Sequence, residues 1–229
     1  MSRPDRKRME HTNVKILAIS DVPSKALWDY DTRARLEGID LILSCGDLPK
    51  KYLEYLTNFT ASPILYVHGN HDGSYQTQGE PGGCICVDDQ VYTWKGLRIM
   101  GLGGCQRYNR EDTYQYTEHE MRRRAHKLEH QAHKKGGIDL LLTHAPAKGL
   151  NDGDDRAHKG FECFNELLDE YQPKWFIHGH IHLNYDAKLP RVCTRGNTTV
   201  INATERYVFE IPDPDPVEER KTLWQMLGF

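Results

Sequence analysis

Apolar residues follow two rhythms along this chain. Apolar-rich stretches at 14–20 (VKILAIS), 39–45 (IDLILSC), 63–69 (PILYVHG), 138–144 (IDLLLTH) and 174–180 (KWFIHGH) have the length of buried strands. Helical spacing fills the intervals. It runs over 24–38 and ends at Gly38, over 49–59 with Pro49 in the first turn, and over 161–171. A further helix opens on a capping box, Thr117 with Glu120, carries an apolar stripe of Met121, Ala125, Leu128 and Ala132, and stops at Gly136 and Gly137. Strand alternating with helix predicts parallel sheets covered by helices. Shorter pieces at 84–89, 91–94 and 97–104 add strands, and 198–203 and 207–212 read as antiparallel ones. The pattern predicts an α/β fold with two facing mixed sheets and helices outside. It is read as one domain over 1–229, with a basic N-terminal arm at 1–12 and a C-terminal tail at 212–229. That tail is proline-rich and then amphipathic, suited to wrapping back on the domain or to self-association.

Composition narrows the classes. With 229 residues, 38% apolar and 28% charged, the chain can bury a core without disulfides or a structural metal. A net charge of -3 gives no global preference for nucleic acid or a membrane surface. The start, MSRPDRKRMEH, lacks the apolar stretch of a secretory signal, and no apolar run approaches the ~18 residues of a membrane span. Six scattered cysteines without a C-x-x-C pair fit reduced thiols and a cytoplasmic location. The outer face of the 117–135 helix holds Arg122, Arg123, Arg124, Lys127, Lys134 and Lys135, read as a solvated face.

The polar residues that end each apolar run carry the chemistry. Asp21 ends the first, Gly46 and Asp47 the second, and Gly69, Asn70, His71 and Asp72 the third. His144 ends the fourth run, and His178, Gly179, His180, Ile181 and His182 end the fifth. Carboxyl ends of parallel strands share one sheet edge, where ligand sites form. These side chains are therefore expected to converge. Asp, Asn and His without thiolate suit divalent manganese, iron or zinc, and such a crowd of carboxylates and imidazoles calls for a compensating cation. His68, one residue before its turn, should point off that edge, and His178 reads as a core histidine.

The ordered set D-x-x, GD, GNHD, TH and GHIH resembles the calcineurin-like metallophosphoesterase family, and the stretch from "THAPAKGLNDGDD" to "GHIHLNY" is similar to its small phosphodiesterase-like members. The resemblance implies a four-layer α-β-β-α sandwich and one or two divalent metal ions. One site would use Asn70, His144 and His180, the other Asp21 and His182, with Asp47 bridging. A metal-bridging hydroxide would attack a phosphomonoester or phosphodiester, and His71 would act as catalytic histidine with Asp72 orienting its ring. Arg107, Tyr108 and His158 are expected on the substrate side. One departure stands out: where the family has D-x-H, this chain has Asp21-Val22-Pro23, so the first site lacks an imidazole. An oxygen from water, Ser20 or Ser24, or a second ion arriving with substrate, would then complete it. Two other readings compete, a nuclease, less favoured by the near-neutral charge, and a non-catalytic interaction scaffold on the same fold.

Overall fold

The computed structural model describes residues 13–109, 113–183 and 189–214. The basic arm at 1–12, and the tail beyond residue 214, lie outside the described residues. The first sheet has the order β13-β1-β2-β3-β4, built from Glu205–Pro212, Asn13–Ser20, Leu41–Ser44, Ile64–Tyr66 and Ile85–Cys86. The second has the order β11-β12-β10-β9-β6-β5, built from Val192–Arg195, Thr198–Asn202, Trp175–His178, Leu140–Thr143, Leu97–Leu102 and Gln90–Trp94. Parallel pairing runs through the middle of both, and antiparallel strands lie at β13, β11 and β5. A small pair, β7 (Cys105–Gln106) with β8 (Gln115–Tyr116), stands apart.

Three apolar clusters separate four layers. Between the sheets lie Ile16, Ala18, Leu41 and Leu43 against Leu140, Leu142, Ile177 and Ile201. On the outer face of the first sheet, Leu17, Ile19 and Ile42 pack on α2 (Lys50–Thr57) through Tyr52, Leu53 and Leu56 and on α1 (Thr32–Leu36) through Leu36. On the outer face of the second, Leu141, Phe176 and Val200 pack on α4 (Glu118–Lys135) and α5 (Glu162–Tyr171). The two-residue alternation of strand side chains is what sends Ile16 and Leu17 to opposite clusters. The fold is thus α/β, with two large mixed sheets between helices, as the sequence predicts.

Three differences have local causes. The helix expected over 24–38 is broken into a 3-10 turn, Lys25–Leu27, and the short α1. Thr32 donates its hydroxyl to the carbonyls of Leu27 (3.2 Å) and Asp29 (2.6 Å), which fixes a turn between them. Residues 198–203 do pair antiparallel with β11, but their other neighbour, β10, runs parallel. Arg124 does not join the solvated face. Its guanidinium meets Asp88 at 2.7 Å and Asp89 at 2.9 Å and covers the Tyr116 ring, 4.1 Å from its centroid. Asp88 in turn bonds the His68 ring (2.8 Å) and accepts from Gly103 N (2.7 Å), so this buried network braces the strand leading into the GNHD turn. A short α3 (Tyr75–Gln78) follows that turn. Among the described residues no helix is long and apolar enough to cross a membrane.

Candidate metal centre

The turns after β1, β2, β3, β9 and β10 meet at one edge, and their main chains are tied to one another. Asp21 N donates to Gly46 O (3.1 Å), Gly179 N to His144 O (2.9 Å), and His180 N to both Asp21 carboxylate oxygens (3.0 Å each). Asp21, Asp47 and His180 all have left-handed backbone, with φ of 63°, 56° and 67°. Non-glycine residues hold that conformation only where surrounding contacts enforce it. The turns also interlock closely. A Cβ at Gly69 would fall 2.0 Å from Asp47 Oδ1, and one at Gly179 would fall 1.9 Å from Ser20 Oγ.

Within this frame the hydrogen bonds decide which atoms face inward. His144 Nδ1 lies 2.7 Å from the Cys45 carbonyl, which can only accept, so Nδ1 carries the proton and Nε2 turns inward. His180 Nε2 likewise donates to Ala157 O at 2.8 Å, which leaves Nδ1 inward. Asn70 gives its amide to the Tyr108 hydroxyl (3.3 Å), and its Oδ1 points into the cluster. Around His144 Nε2 lie Asn70 Oδ1 at 3.0 Å, His180 Nδ1 at 3.1 Å and Asp47 Oδ2 at 3.4 Å. Four acceptor atoms thus face one point. A cation is what such a set lacks, either a proton shared among them or a metal ion, and oxygen plus imidazole nitrogen suits a divalent metal. Among the described residues, Asp47, His144 and His180 offer ligand atoms within 4.8 Å of one another, so these residues can hold a metal ion.

Protonation follows from the same crowding. Burial alone would lower the His144 pKa, but the Asp47 carboxylate outweighs it and raises the imidazole to about 9. Burial pushes Asp47 up, yet the charge and hydrogen bond of His144 bring it down to about 2. Burial and the neighbouring His144 charge lower His180 to about 3, so it stays neutral. Asp21 is raised by burial and by the Asp47 charge.

The remaining expected site residues divide. Asp21 lies partly buried at the edge, its carboxylate tied to His180 N, and the charge of His182 acts to lower its pKa. Ser20 donates to Gly46 O (3.2 Å) beside Asp21, but Ser24 gives its hydroxyl to Glu205 (3.0 Å) and does not serve Asp21. His71 is exposed at the rim, with its N–H on Asp47 Oδ1 (2.7 Å). Asp72 does not orient the His71 ring. Its Oδ2 accepts from Gly69 N (2.7 Å) and Asp47 N (2.9 Å), clasping the two turns, while burial and the Asp47 charge raise its pKa to about 6. Arg107 pairs with Glu120 (2.9 Å) and Gln115 O (3.2 Å). Tyr108 sits at the cluster through Asn70. His158 lies 5.4 Å from the His180 ring, its Nδ1 on Asp155 (2.7 Å).

Sequence reasoning missed the carbonyls of Cys45 and Ala157, which set both imidazole orientations; main-chain acceptors leave no trace in residue type. It also missed Asp88 and Arg124, although position 124 falls on the 121/125/128 stripe, a usable signal that the arginine turns inward.

The architecture matches solved structures at low identity. TT1561 of Thermus thermophilus superposes with a TM-score of 0.59 at 17% identity, over 85% of this chain and 90% of that one. A second solved structure superposes with a TM-score of 0.62 at 13% identity, over 88% of this chain and 99% of the other. At such identities the likeness is one of fold. The sequence itself matches the pattern of the calcineurin-like phosphoesterases over residues 14–184. That span takes in every one of the five converging turns, and the chain belongs to the calcineurin-like phosphoesterase family.

Proposed function

We propose that this chain, as one domain over 1–229, is a metal-dependent hydrolase of a phosphomonoester or phosphodiester. The observation that carries the reading is the convergence of four ligand atoms, from Asp47, Asn70, His144 and His180, on one point that a proton or a metal ion must hold together. Those four residues would hold one divalent ion, manganese, iron or zinc. Asp21, Asp47 and His182 would hold a weaker second one, weaker because Pro23 stands where an imidazole would complete the set. Bound metal supplies Lewis acidity toward the phosphoryl oxygens and acidifies the attacking water.

The chain's own groups do the rest. Cys45 O and Ala157 O fix the imidazole tautomers, and Tyr108 fixes the Asn70 amide. His71, exposed beside Asp47, would protonate the leaving oxygen or steady charge on the phosphoryl group. Asp72 holds the Asp47 and Gly69 turns together through their main-chain N–H groups. His158, beside His180, is a candidate substrate contact.

The scaffold reading rests on Pro23. The nuclease reading loses ground in the structure, since Arg122 pairs with Glu166 and Arg124 with Asp88, which shrinks the free basic face of α4. The test is metal analysis together with hydrolysis of nitrophenyl phosphate mono- and diesters in manganese. His71→Ala should keep its metal and lose about 10²–10⁴-fold in turnover. A protein that takes up no metal, or a His71→Ala variant as active as the parent, overturns the proposal.

A further inference from the structure

The residue that deprives Asp21 of an imidazole also forms a wall. Pro23, two positions past Asp21, and Pro49, two past Asp47, line an open cavity of about 470 Å³ together with Lys25, Trp28 and Asp29. Two of its walls thus follow, at two residues' distance in sequence, the turns that carry the carboxylates. Trp28 forms its aromatic surface. The indole lies parallel to Tyr52 (centroids 5.0 Å apart, 7° between planes) and to Tyr55 (5.4 Å, 11°), both on α2. Yet Trp28 is 45% exposed, and Val22 beside Pro23 is 41% exposed. An indole held flat on two tyrosines with so much surface open presents a rigid planar face to whatever enters the cavity. The open face of the indole offers a large apolar surface whose burial by a ligand ring would be favourable.

We infer that Trp28 is a specificity residue, and that its cavity takes a planar aromatic ring borne by the phosphoester substrate. This rests on the phosphoesterase reading for the position of the phosphoryl group. The chemistry of the walls favours this occupant over a branched alkyl chain or a sugar. Parallel stacking rewards flat π-systems, prolines present flat apolar sides to a ring, and Lys25 adds a positive charge for the phosphate that the ring carries. The broken helix at 24–38 serves the same end, since the turn fixed by Thr32 is what leaves Trp28 outside the core.

The test is equilibrium binding, by calorimetry with manganese present, of two non-hydrolysable ligands, phenylphosphonate and methylphosphonate. The parent protein should bind the phenyl compound about tenfold more tightly, the scale of one aromatic stack. Trp28→Phe should keep that preference. Trp28→Leu, which still covers Tyr52 and Tyr55, should lose it while methylphosphonate affinity stays level. Equal affinity for the two ligands in the parent, or a preference that survives Trp28→Leu, overturns the inference and leaves the phosphoesterase reading intact. Absence of hydrolysis with the phenyl preference present would sink the enzyme reading and spare the cavity. Failure to bind either phosphonate sinks both.

Discussion

Stripping the metal and titrating it back across pH probes the four-acceptor cluster directly. In the metal-free protein a proton on His144 Nε2 serves as the cation, facing Asp47 Oδ2 at 3.4 Å. At that distance the attraction is about 5 kcal/mol with an effective dielectric of ~20. Burial opposes it, and the net outcome is the rise of the imidazole from 6.5 to about 9, equivalent to about 3 kcal/mol. A metal ion must displace this proton. His180, lowered to about 3, and Asp47, near 2, have no proton to give at neutral pH. Calorimetric titration of manganese at pH 7, in buffers of different ionisation enthalpy, should therefore show at least one proton released per first ion. Affinity should rise about tenfold per pH unit between pH 7 and 9. Stability gives a second readout. Because the folded pKa lies above the unfolded value, the His144 contribution is fully present below pH ~6.5 and is lost as pH rises through about 9. The melting temperature of the metal-free protein should fall across that interval, and that of the loaded protein should not. Uptake without proton release, with an affinity flat from pH 7 to 9, would refute the assignment of His144 Nε2 as the inward atom.

Further outcomes follow from particular contacts. Arg124→Ala leaves the buried Asp88 carboxylate without its guanidinium and should cost about 3–5 kcal/mol in chemical denaturation; a loss under 1 kcal/mol would return Arg124 to the solvated face. Pro23→His should tighten a second equivalent of manganese without affecting the first, and unchanged binding of both would place residue 23 away from Asp21. Gly179→Ala forces a Cβ to 1.9 Å from Ser20 Oγ and should lower both melting temperature and metal content; a variant with full metal content would show that the turns can separate.

The converging edge was legible because polar residues abruptly end apolar runs, and parallel strands carry those ends to one side. The sheet faces were legible too, through the alternation that divides Ile16 from Leu17. Residues 24–38 misled because Leu27, Tyr30 and Ala34 keep helical spacing while a side-chain bond, Thr32 to Leu27 O, breaks the helix within that stretch. Asp72 misled for a related reason. A carboxylate beside a histidine looks like its partner, but three residues from Gly69 it reaches main-chain N–H groups first. Trp28 carried no signal at all, since exposure depends on the turn and not on the residue.

β13 has a consequence for synthesis. The strand leading to Asp21 is flanked on one side by β2, close in sequence, and on the other by β13, with Asn13 opposite Pro212. Until residue 212 has left the ribosome, β1 presents a bare row of amides and carbonyls, open to pairing with another nascent chain. A fragment cut at residue 184, where the family match ends, keeps all the converging turns yet lacks this last strand. Such a fragment should aggregate, although it holds every one of the converging side chains.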